Sequence, residues 1–339
     1  MQHIFNRIKR LKISLRYLTF YKIINFSRLS FAYLLSYLGI QKLNGMKPGF
    51  ISIETANYCN LNCPECPVGQ REPGKLDRLR FDLDLYKKTI DELKSTLQHV
   101  ILYFQGEPLL NRQLADFIEY AHKAGVYTST STNAQLLYET TAKELVLSGL
   151  DKLIISADGS TQETYETYRV GGQLEKALDG IRHVVRWKCE FKSVTPLIEL
   201  QFIVLKTNEH QMEDMKQIAK MLKVDRLTFK TAQLYNYEDG NKLLTTKSKY
   251  ARYKLLPNGK YHLKGKQPNR CWRLWNGAVV NAKGDVLPCC FDKESEFSFG
   301  NINEKSFAEA WHTKNASDFR AKILQNRKKF EMCRNCTSR

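Results

Sequence analysis

The first 53 residues of the chain contain no aspartate or glutamate. The same residues carry nine lysines and arginines, half of the formal net charge of +18 for all 339 residues. The longest uncharged stretch in this segment, residues 29–41, is too short to cross a bilayer. The segment also lacks the apolar core and small-residue cleavage site of a secretory signal peptide. We therefore expect neither a membrane span nor a secretory leader here.

Apolar side chains recur at helical spacing in this acid-free segment, at Ile4, Ile8, Leu11, Leu15 and Leu18. The pattern predicts a basic amphipathic helical segment over residues 1–47. Three interpretations stay open: docking on an anionic membrane or an acidic partner, packing on the rest of the chain, and an organellar presequence. No nucleic-acid motif accompanies the basic charge, so nucleic-acid binding is not expected.

Disulfide-rich and repetitive architectures are excluded as well. The chain has no internal repeat or low-complexity tract, and 42% hydrophobic and 26% charged residues are typical of a globular protein. Its nine cysteines fall into groups whose spacing suits metal clusters rather than a secreted disulfide framework. We therefore expect a cytoplasmic protein, held peripherally at a membrane by residues 1–47 if the first interpretation of that segment holds.

Three cysteines, Cys59, Cys63 and Cys66, have the spacing C-x3-C-x2-C. They follow the apolar run at residues 50–53, which predicts a short strand. Three thiolates ligate three irons of a four-iron cluster and leave the fourth iron open to a ligand that is not protein. Half of a zinc site and a set of buried thiols are the alternatives.

With this motif the chain resembles the radical S-adenosylmethionine (SAM) enzymes. In that family C-x3-C-x2-C holds a [4Fe-4S] cluster, and the open iron takes the amino and carboxylate groups of SAM. The resemblance implies that SAM is cleaved reductively and that a 5′-deoxyadenosyl radical abstracts a substrate hydrogen. It also implies a reducing partner such as flavodoxin or ferredoxin.

A second cysteine group lies near the C-terminus, in the order Cys271, Gly284, Cys289, Cys333 and Cys336. The pattern resembles the SPASM extension of radical SAM proteins in its shortened twitch form. The resemblance implies that Cys271, Cys289, Cys333 and Cys336 hold one auxiliary [4Fe-4S] cluster. Only three residues follow Cys336, so we expect no second auxiliary cluster.

Alternatives exist for this second group. The same cysteine spacing fits a structural zinc ribbon. Cys290 is the alternative to Cys289 as a ligand, and it also suits an inert buried thiol. Cys189 falls in a helical pattern at residues 181–191 and is predicted to lie in the core.

Short β-rich runs alternate with helical patterns after the first cysteine group, which is typical of repeated βα units. The predicted strands are residues 50–55, 100–104, 127–132, 152–156, 198–205 and 226–230. The fold class is therefore α/β: a partial (β/α)6 TIM-like barrel, as the resemblance implies, with a small C-terminal α+β auxiliary-cluster lobe and an N-terminal amphipathic helical segment.

The predicted domains follow this division. Residues 1–47 form the basic segment, 48–232 the barrel, 233–270 a polar connector with a hairpin near Pro257 and Gly259, and 271–339 the auxiliary-cluster domain. That last domain is predicted to contain a hairpin at 278–288 and one helix over 307–328.

Polar residues at the predicted strand ends suit the binding of SAM. The run Gln105-Gly106-Glu107-Pro108 follows the second strand and resembles the G-G-E-P motif that holds the SAM amino group in the family. Gln105 stands where the family has its first glycine. The resemblance implies cofactor-binding roles for Gly106 and Glu107, with Gln105 beside them.

Further SAM contacts are implied at later strand ends. The run from Ser156 to Gly159 looks like the S-x-D-G segment of SPASM-type enzymes, and Arg169 offers a fixed fork of donors to the SAM carboxylate. An oxidation also needs a base, which makes Asp158 the catalytic candidate. The remaining predicted cofactor-binding residues, for which turn chemistry is the alternative, are Thr132, Asn133, Ser156 and Asn208.

One residue departs from the family pattern. The position before the third cysteine of the motif is commonly aromatic and packs near the adenine, but here it is Glu65. The departure leaves the cysteine motif intact and removes one apolar contact to the adenine.

The combined motifs predict a radical SAM oxidoreductase or maturase. Such an enzyme abstracts a hydrogen from an unactivated carbon and oxidises or cross-links its substrate with help from the auxiliary cluster. A peptide and a small polyol, amino sugar or lipid headgroup are the candidate substrates. The rival hypothesis is a non-catalytic Fe–S or zinc protein that recruits partners through its basic N-terminal arm.

Overall fold

The computed structural model describes residues 9, 11–40, 45–71 and 77–337. The strands are β1 (Phe50–Ile53), β2 (His99–Ile101), β3 (Tyr127–Thr132), β4 (Lys152–Ser156), β5 (Leu197–Val204), β6 (Arg226–Thr231), β7 (Tyr253–Leu255), β8 (Tyr261–Leu263), β9 (Gly277–Val280), β10 (Asp285–Leu287) and β11 (Gly300–Asn301). The helices are α1 (Phe20–Leu35), α2 (Leu83–Leu93), α3 (Leu114–Lys123), α4 (Glu139–Leu147), α5 (Gln162–Glu166), α6 (Leu174–Glu190), α7 (Met212–Met221), α8 (Arg273–Asn276), α9 (Phe307–Trp311), α10 (Lys314–Asn326) and α11 (Glu331–Arg334).

The chain forms two compact units. The first unit contains Tyr58–Asp77 and Thr130–Gly265, and the second contains Arg7–Asn57, Arg78–Ser129 and Lys266–Arg339. Strand β3 begins in the second unit and ends in the first. The first cysteine group therefore belongs to the first unit, and the second cysteine group to the second unit.

Parallel pairing dominates both units. In the second unit β1 pairs in parallel with β2 and with β9, and β2 pairs in parallel with β3. Strands β9, β10 and β11 then follow each other in antiparallel order. In the first unit β4, β5 and β6 are parallel neighbours. The largely parallel strands of each unit, with their intervening helices, confirm the α/β class.

The six predicted strands are all present, although the second ends at Ile101 rather than at residue 104. Most residues of β4 and β5 are buried, as expected when helices cover both faces of a parallel sheet. The helices are amphipathic: α6 buries Leu174, Ala177, Ile181 and Val184 along one stripe. Cys189 lies five residues beyond Val184, away from this stripe, and is exposed, so its predicted core position is wrong.

The C-terminal lobe contains the predicted hairpin but not the predicted single helix. Strands β9 and β10 pair around a turn in which Gly284 has a φ of +90°. The predicted helix over 307–328 is interrupted between α9 and α10. Helix α9 ends at Trp311, and Thr313 caps α10, because its hydroxyl accepts a hydrogen bond from the Ala316 amide. The helical periodicity on either side concealed this break.

The N-terminal segment is helical where it is described, over residues 11–15 and in α1. Of the predicted apolar face, Ile4 and Ile8 lie outside the described residues. Leu11, Leu15 and Leu18 are exposed. Within the described ranges, no helix combines the length and apolar character that crossing a membrane requires.

Thr313→Ala should lower the free energy of unfolding by about 1 kcal/mol, because it removes the cap of α10. Thr313→Ser retains the hydroxyl and should keep most of that stability. Denaturant titration of both variants against the wild-type chain measures the difference. An equal loss in the two variants would contradict a capping role.

Candidate active site

The first cysteine group lies in a tightly turned loop. Cys63 is buried, whereas Cys59 and Cys66 are half-buried, and none of the three forms a disulfide. The Cys66 amide donates to the Cys63 carbonyl at 3.1 Å. A Cβ at position 69 would lie 2.7 Å from the Cys63 backbone nitrogen, so the loop requires Gly69. The loop thus presents its three sulfurs from one short, constrained segment.

The segment predicted as a polar connector covers this loop. Leu61 and Cys63 pack in one apolar cluster with Leu234, Leu243 and Tyr253. Strands β7 and β8 form the predicted hairpin of the segment, and the Tyr237 and Tyr253 rings stack at 4.1 Å. The few apolar side chains of this polar segment are therefore buried against the cysteine loop.

Two polar side chains approach the cysteine sulfurs within the first unit. The Asn133 amide lies 3.6 Å from the Cys59 sulfur. Arg169 Nη1 lies 3.9 Å from the Cys63 sulfur. Burial raises the pKa of the Cys63 thiol, and the Arg169 guanidinium opposes that shift. Asn133 and Arg169, both predicted from the sequence, are thus brought to the cysteine loop.

Asp158 and Asn208 hold the arginine in place. Asp158 is fully buried, and its Oδ2 accepts from Arg169 Nε at 2.6 Å. Its Oδ1 accepts from the Ile203 amide at 2.6 Å. The Asn208 amide donates to the Asp158 carbonyl, while its oxygen accepts from the Leu205 amide. Both Asp158 oxygens are therefore already hydrogen-bonded, and the Asn208 side chain ties the ends of β4 and β5 together.

Glu65 links the cysteine loop to the covering segment. Its carboxylate accepts from the Tyr235 amide at 3.0 Å and from the Asn241 side-chain amide at 3.1 Å. Sequence reasoning found only that an aromatic residue is missing at this position. The structure shows what the carboxylate does instead: it fastens a segment that lies about 170 residues later in the chain.

The other predicted SAM-binding residues are placed as follows. Ser156 ends β4, and the Thr132 hydroxyl accepts from the Ala134 amide in the turn after β3. In the second unit, Gly106 has a φ of +58°, and the buried Glu107 accepts from the Leu109 amide. The Gln105 amide donates to the Lys293 carbonyl, so the replaced glycine position contacts the C-terminal lobe. The roles of these residues toward SAM stay predictions.

The second cysteine group is gathered in the C-terminal lobe. Burial raises the pKa of Cys333 to about 11, and the nearby Cys336 and Cys271 thiols add to the rise. Burial also raises the pKa of Cys289, with further contributions from the adjacent Cys290 and then from Cys271 and Cys333. The four sulfurs of this group are therefore close enough to influence one another.

Two side chains that sequence reasoning missed support this group. The Arg327 guanidinium is buried and lowers the pKa of Cys333, against the effect of burial. The Gln267 amide lies 2.9 Å from the carbonyls of Cys333 and Cys336. Neither residue belongs to a cysteine motif, so only the three-dimensional contact identifies it.

Cys290 occupies a different environment from Cys289. It packs against Phe104, Val279 and Leu287, and its sulfur lies 3.8 Å from Arg273 Nη1. Both cysteines border a cavity of about 200 Å³. The side chain of Cys290 is thus directed toward this cavity and its apolar wall.

The thiols of both cysteine groups are chemically suited to ligate iron–sulfur clusters. Buried thiols with an adjacent guanidinium suit thiolate ligation. Among the described residues, no three His, Cys, Asp or Glu side chains converge on a point where one metal ion would be held. A four-iron cluster takes each thiolate at a separate iron, so its ligands need no such common point.

Family models match both parts of the chain that carry the cysteine groups. The radical SAM superfamily model matches residues 53–199. The SPASM model, described as an iron–sulfur cluster-binding domain, matches residues 271–337. The chain therefore contains a radical SAM domain and a SPASM domain. Radical SAM domains bind a [4Fe-4S] cluster and SAM, and SPASM domains bind additional iron–sulfur clusters, which confirms the predicted cofactors.

Curated relatives are similar over most of their length. The tungsten-containing aldehyde ferredoxin oxidoreductase cofactor-modifying protein of Pyrococcus furiosus is 26% identical over 320 residues, which cover 86% of this chain and 87% of that protein. The PqqA peptide cyclase of Rhizobium meliloti is 25% identical over 313 residues, covering 86% and 80%.

A solved structure shows the same fold. The crystal structure of Streptococcus suis SuiB bound to S-adenosylmethionine has a TM-score of 0.63 and 15% identity, and the match covers 89% of this radical SAM chain and 74% of SuiB. The predicted partial barrel is thereby confirmed. The assignment of individual cysteines and of the SAM-binding residues stays a prediction.

Glu65→Ala should accelerate amide hydrogen exchange at Tyr235 about tenfold or more, because the amide loses its acceptor and the covering segment opens more often. Glu238→Ala removes an exposed carboxylate from the same segment and is the matched control. Exchange measured by mass spectrometry distinguishes the two variants. An unchanged rate in Glu65→Ala would show that the carboxylate does not fasten the segment.

Proposed function

We propose that this radical SAM protein is an oxidoreductase that acts on a peptide and uses an auxiliary cluster to complete the oxidation. The observation that carries the proposal is the pair of separate thiol groups, each with a buried cysteine beside an arginine. One group has three cysteines in a single loop, and the other has four in the C-terminal lobe. A non-catalytic iron–sulfur or zinc protein has no need for a three-cysteine group that leaves one iron without a protein ligand.

Cys59, Cys63 and Cys66 hold the cluster that binds SAM. Cys271, Cys289, Cys333 and Cys336 hold the auxiliary cluster. We assign Cys289 rather than Cys290 because the Cys289 thiol lies within the electrostatic reach of Cys271 and Cys333. Cys290 contacts an apolar wall and Arg273 instead.

Arg169 donates to the SAM carboxylate in this proposal. Its Nε is occupied by Asp158, while its Nη1 points toward the cysteine loop. Asn133 lies beside Cys59, where its amide suits the same polar end of SAM. The remaining proposed contacts to SAM come from Gln105, Gly106, Glu107, Thr132, Ser156 and Asn208.

When bound, SAM and its cluster supply a 5′-deoxyadenosyl radical, using one electron from a reductant such as flavodoxin or ferredoxin and releasing methionine. The substrate loses one hydrogen atom to that radical. The auxiliary cluster that Cys271, Cys289, Cys333 and Cys336 would hold would supply an acceptor for the electron that the substrate then loses together with one proton. The net change is a two-electron oxidation of the substrate, and the protein contributes position, exclusion of water and a proton acceptor.

A peptide is the proposed substrate class because a relative that matches most of the chain is named for acting on a peptide, the PqqA peptide cyclase. A small polyol, amino sugar or lipid headgroup is the alternative. Deuterium transfer from labelled candidate substrates into 5′-deoxyadenosine separates the classes. Transfer from a small molecule and from none of the peptides would overturn the peptide assignment.

The enzyme, purified and reconstituted without oxygen, should contain about eight irons per chain. Replacing Cys59, Cys63 and Cys66 by Ala should remove about four irons and all 5′-deoxyadenosine formed from SAM and dithionite. Cys189→Ala changes an exposed thiol outside both groups and is the control. Zinc in place of iron, with no 5′-deoxyadenosine from the wild-type chain, would contradict the proposed function.

Asp158→Asn should lower the rate of SAM cleavage in the absence of substrate about tenfold, because Arg169 loses its charged partner and its fixed orientation. Asp214→Asn, which changes an exposed carboxylate near Ser160, is the matched control. The readout is 5′-deoxyadenosine formed from SAM and dithionite. An unchanged rate would contradict the positioning of Arg169 by Asp158. The predicted role of Asp158 as the proton acceptor would then remain.

A further inference from the structure

Helix α1 is attached to the second unit by a narrow stripe. The buried residues are Lys22, Asn25, Leu29 and Ala32. Lys22 Nζ donates to the Gly125 carbonyl at 2.5 Å, and the Asn25 amide donates to the Lys47 carbonyl at 2.7 Å. Two polar side chains of this helix, Lys22 and Asn25, therefore point inward, toward the protein.

The opposite face of α1 is apolar. At 100° per residue, the side chains directed away from the buried stripe are Phe20, Ile23, Ile24, Ser27, Phe31 and Leu34. Phe20 is 73% exposed, Phe31 62% and Leu34 61%. An ordinary surface helix has the reverse arrangement, with its apolar stripe against the core and its polar face in water. A face of this kind is expected where another apolar phase covers it.

Exposed apolar side chains are concentrated in this region. Of the 21 large hydrophobic residues that are exposed in the described ranges, 13 lie between Leu11 and Ile40. Tyr37, Leu38 and Ile40 continue the exposed apolar surface beyond α1. Contiguous exposed apolar surface of this kind marks an interaction site.

The charge of the region indicates what covers the apolar face of α1. The first 53 residues have nine cationic and no anionic side chains, and Lys12, Arg16 and Arg28 are exposed beside the apolar face. A second copy of the chain would bring two such cationic segments together, which is unfavourable. An anionic bilayer offers both an apolar phase for the outward face and negative headgroups for the flanking cations.

We propose that α1 and the residues flanking it, 11–40, lie in the plane of an anionic lipid bilayer and attach the protein to its surface. The helix enters the boundary between headgroups and acyl chains with Phe20, Ile23, Phe31 and Leu34, and it does not cross the membrane. This proposal is independent of the proposed function, because it concerns no residue assigned to the clusters or to SAM.

Membrane attachment also fixes the position of the C-terminal lobe. Tyr33 packs edge-on against Trp272 and Trp275, with ring centroids 5.3 Å and 5.5 Å apart. Arg270 lies over the Tyr37 ring at 3.6 Å. These contacts flank Cys271 on both sides in the sequence, so the lobe that carries the second cysteine group is held at the bilayer surface.

Vesicle sedimentation of the full-length holoenzyme tests the proposal. The wild-type chain should bind vesicles of phosphatidylcholine and phosphatidylserine at least about tenfold more tightly than vesicles of phosphatidylcholine alone, and added salt should weaken the binding. The variant Ile23→Ser/Phe31→Ser/Leu34→Ser should lose about tenfold or more of that affinity. Leu147→Ser/Met221→Ser removes exposed apolar side chains elsewhere and should bind like the wild type.

The same variants separate this proposal from the catalytic one. Iron content and 5′-deoxyadenosine formation should be unchanged in the α1 variant, which also shows that it folds. Equal vesicle binding by the α1 variant and the wild type would overturn the proposal. A wild-type chain that binds neither vesicle but dimerises, with the dimer lost in the α1 variant, would also overturn it and would identify a second copy as the occupant.

Discussion

A guanidinium lies beside a cysteine sulfur in both cysteine groups. Arg169 approaches Cys63 in the first unit, and Arg327 hydrogen-bonds Cys333 in the second. In the proposed clusters iron binds the cysteines as thiolates, whereas burial favours the neutral thiol. Both arginines act against this effect of burial. A buried positive charge stabilises the thiolate without admitting water. In the first unit the fully buried Asp158 holds the charge of Arg169 in place.

Features that depend on residues close together in the sequence were predictable from the sequence. The cysteine spacings, the six strands and the two hairpins each arise within a short stretch of chain, so local pattern was sufficient. Contacts between distant stretches were not predictable in this way. The carboxylate of Glu65 meets Tyr235 and Asn241, and no local pattern in the sequence joins these residues.

The covering segment shows why composition misleads. Its lysines, asparagines and turns indicate a polar connector, and its few apolar residues follow neither a helical nor a strand period over most of its length. Leu234, Leu243 and Tyr253 are nevertheless buried against the cysteine loop. Thr313 is the converse case, because one hydroxyl that caps α10 divides a helix which periodicity predicts to be continuous.

The register of β1 has a consequence for biosynthesis. Phe50 pairs with His99 on one side and with Gly277 on the other, so the edge of β1 that receives β9 stays open until most of the chain has been translated. Cys333 and Cys336 emerge from the ribosome later still. The lobe that carries these cysteines therefore closes onto a strand synthesised much earlier, and rapid closure of β9 against β1 protects that edge from pairing with another chain.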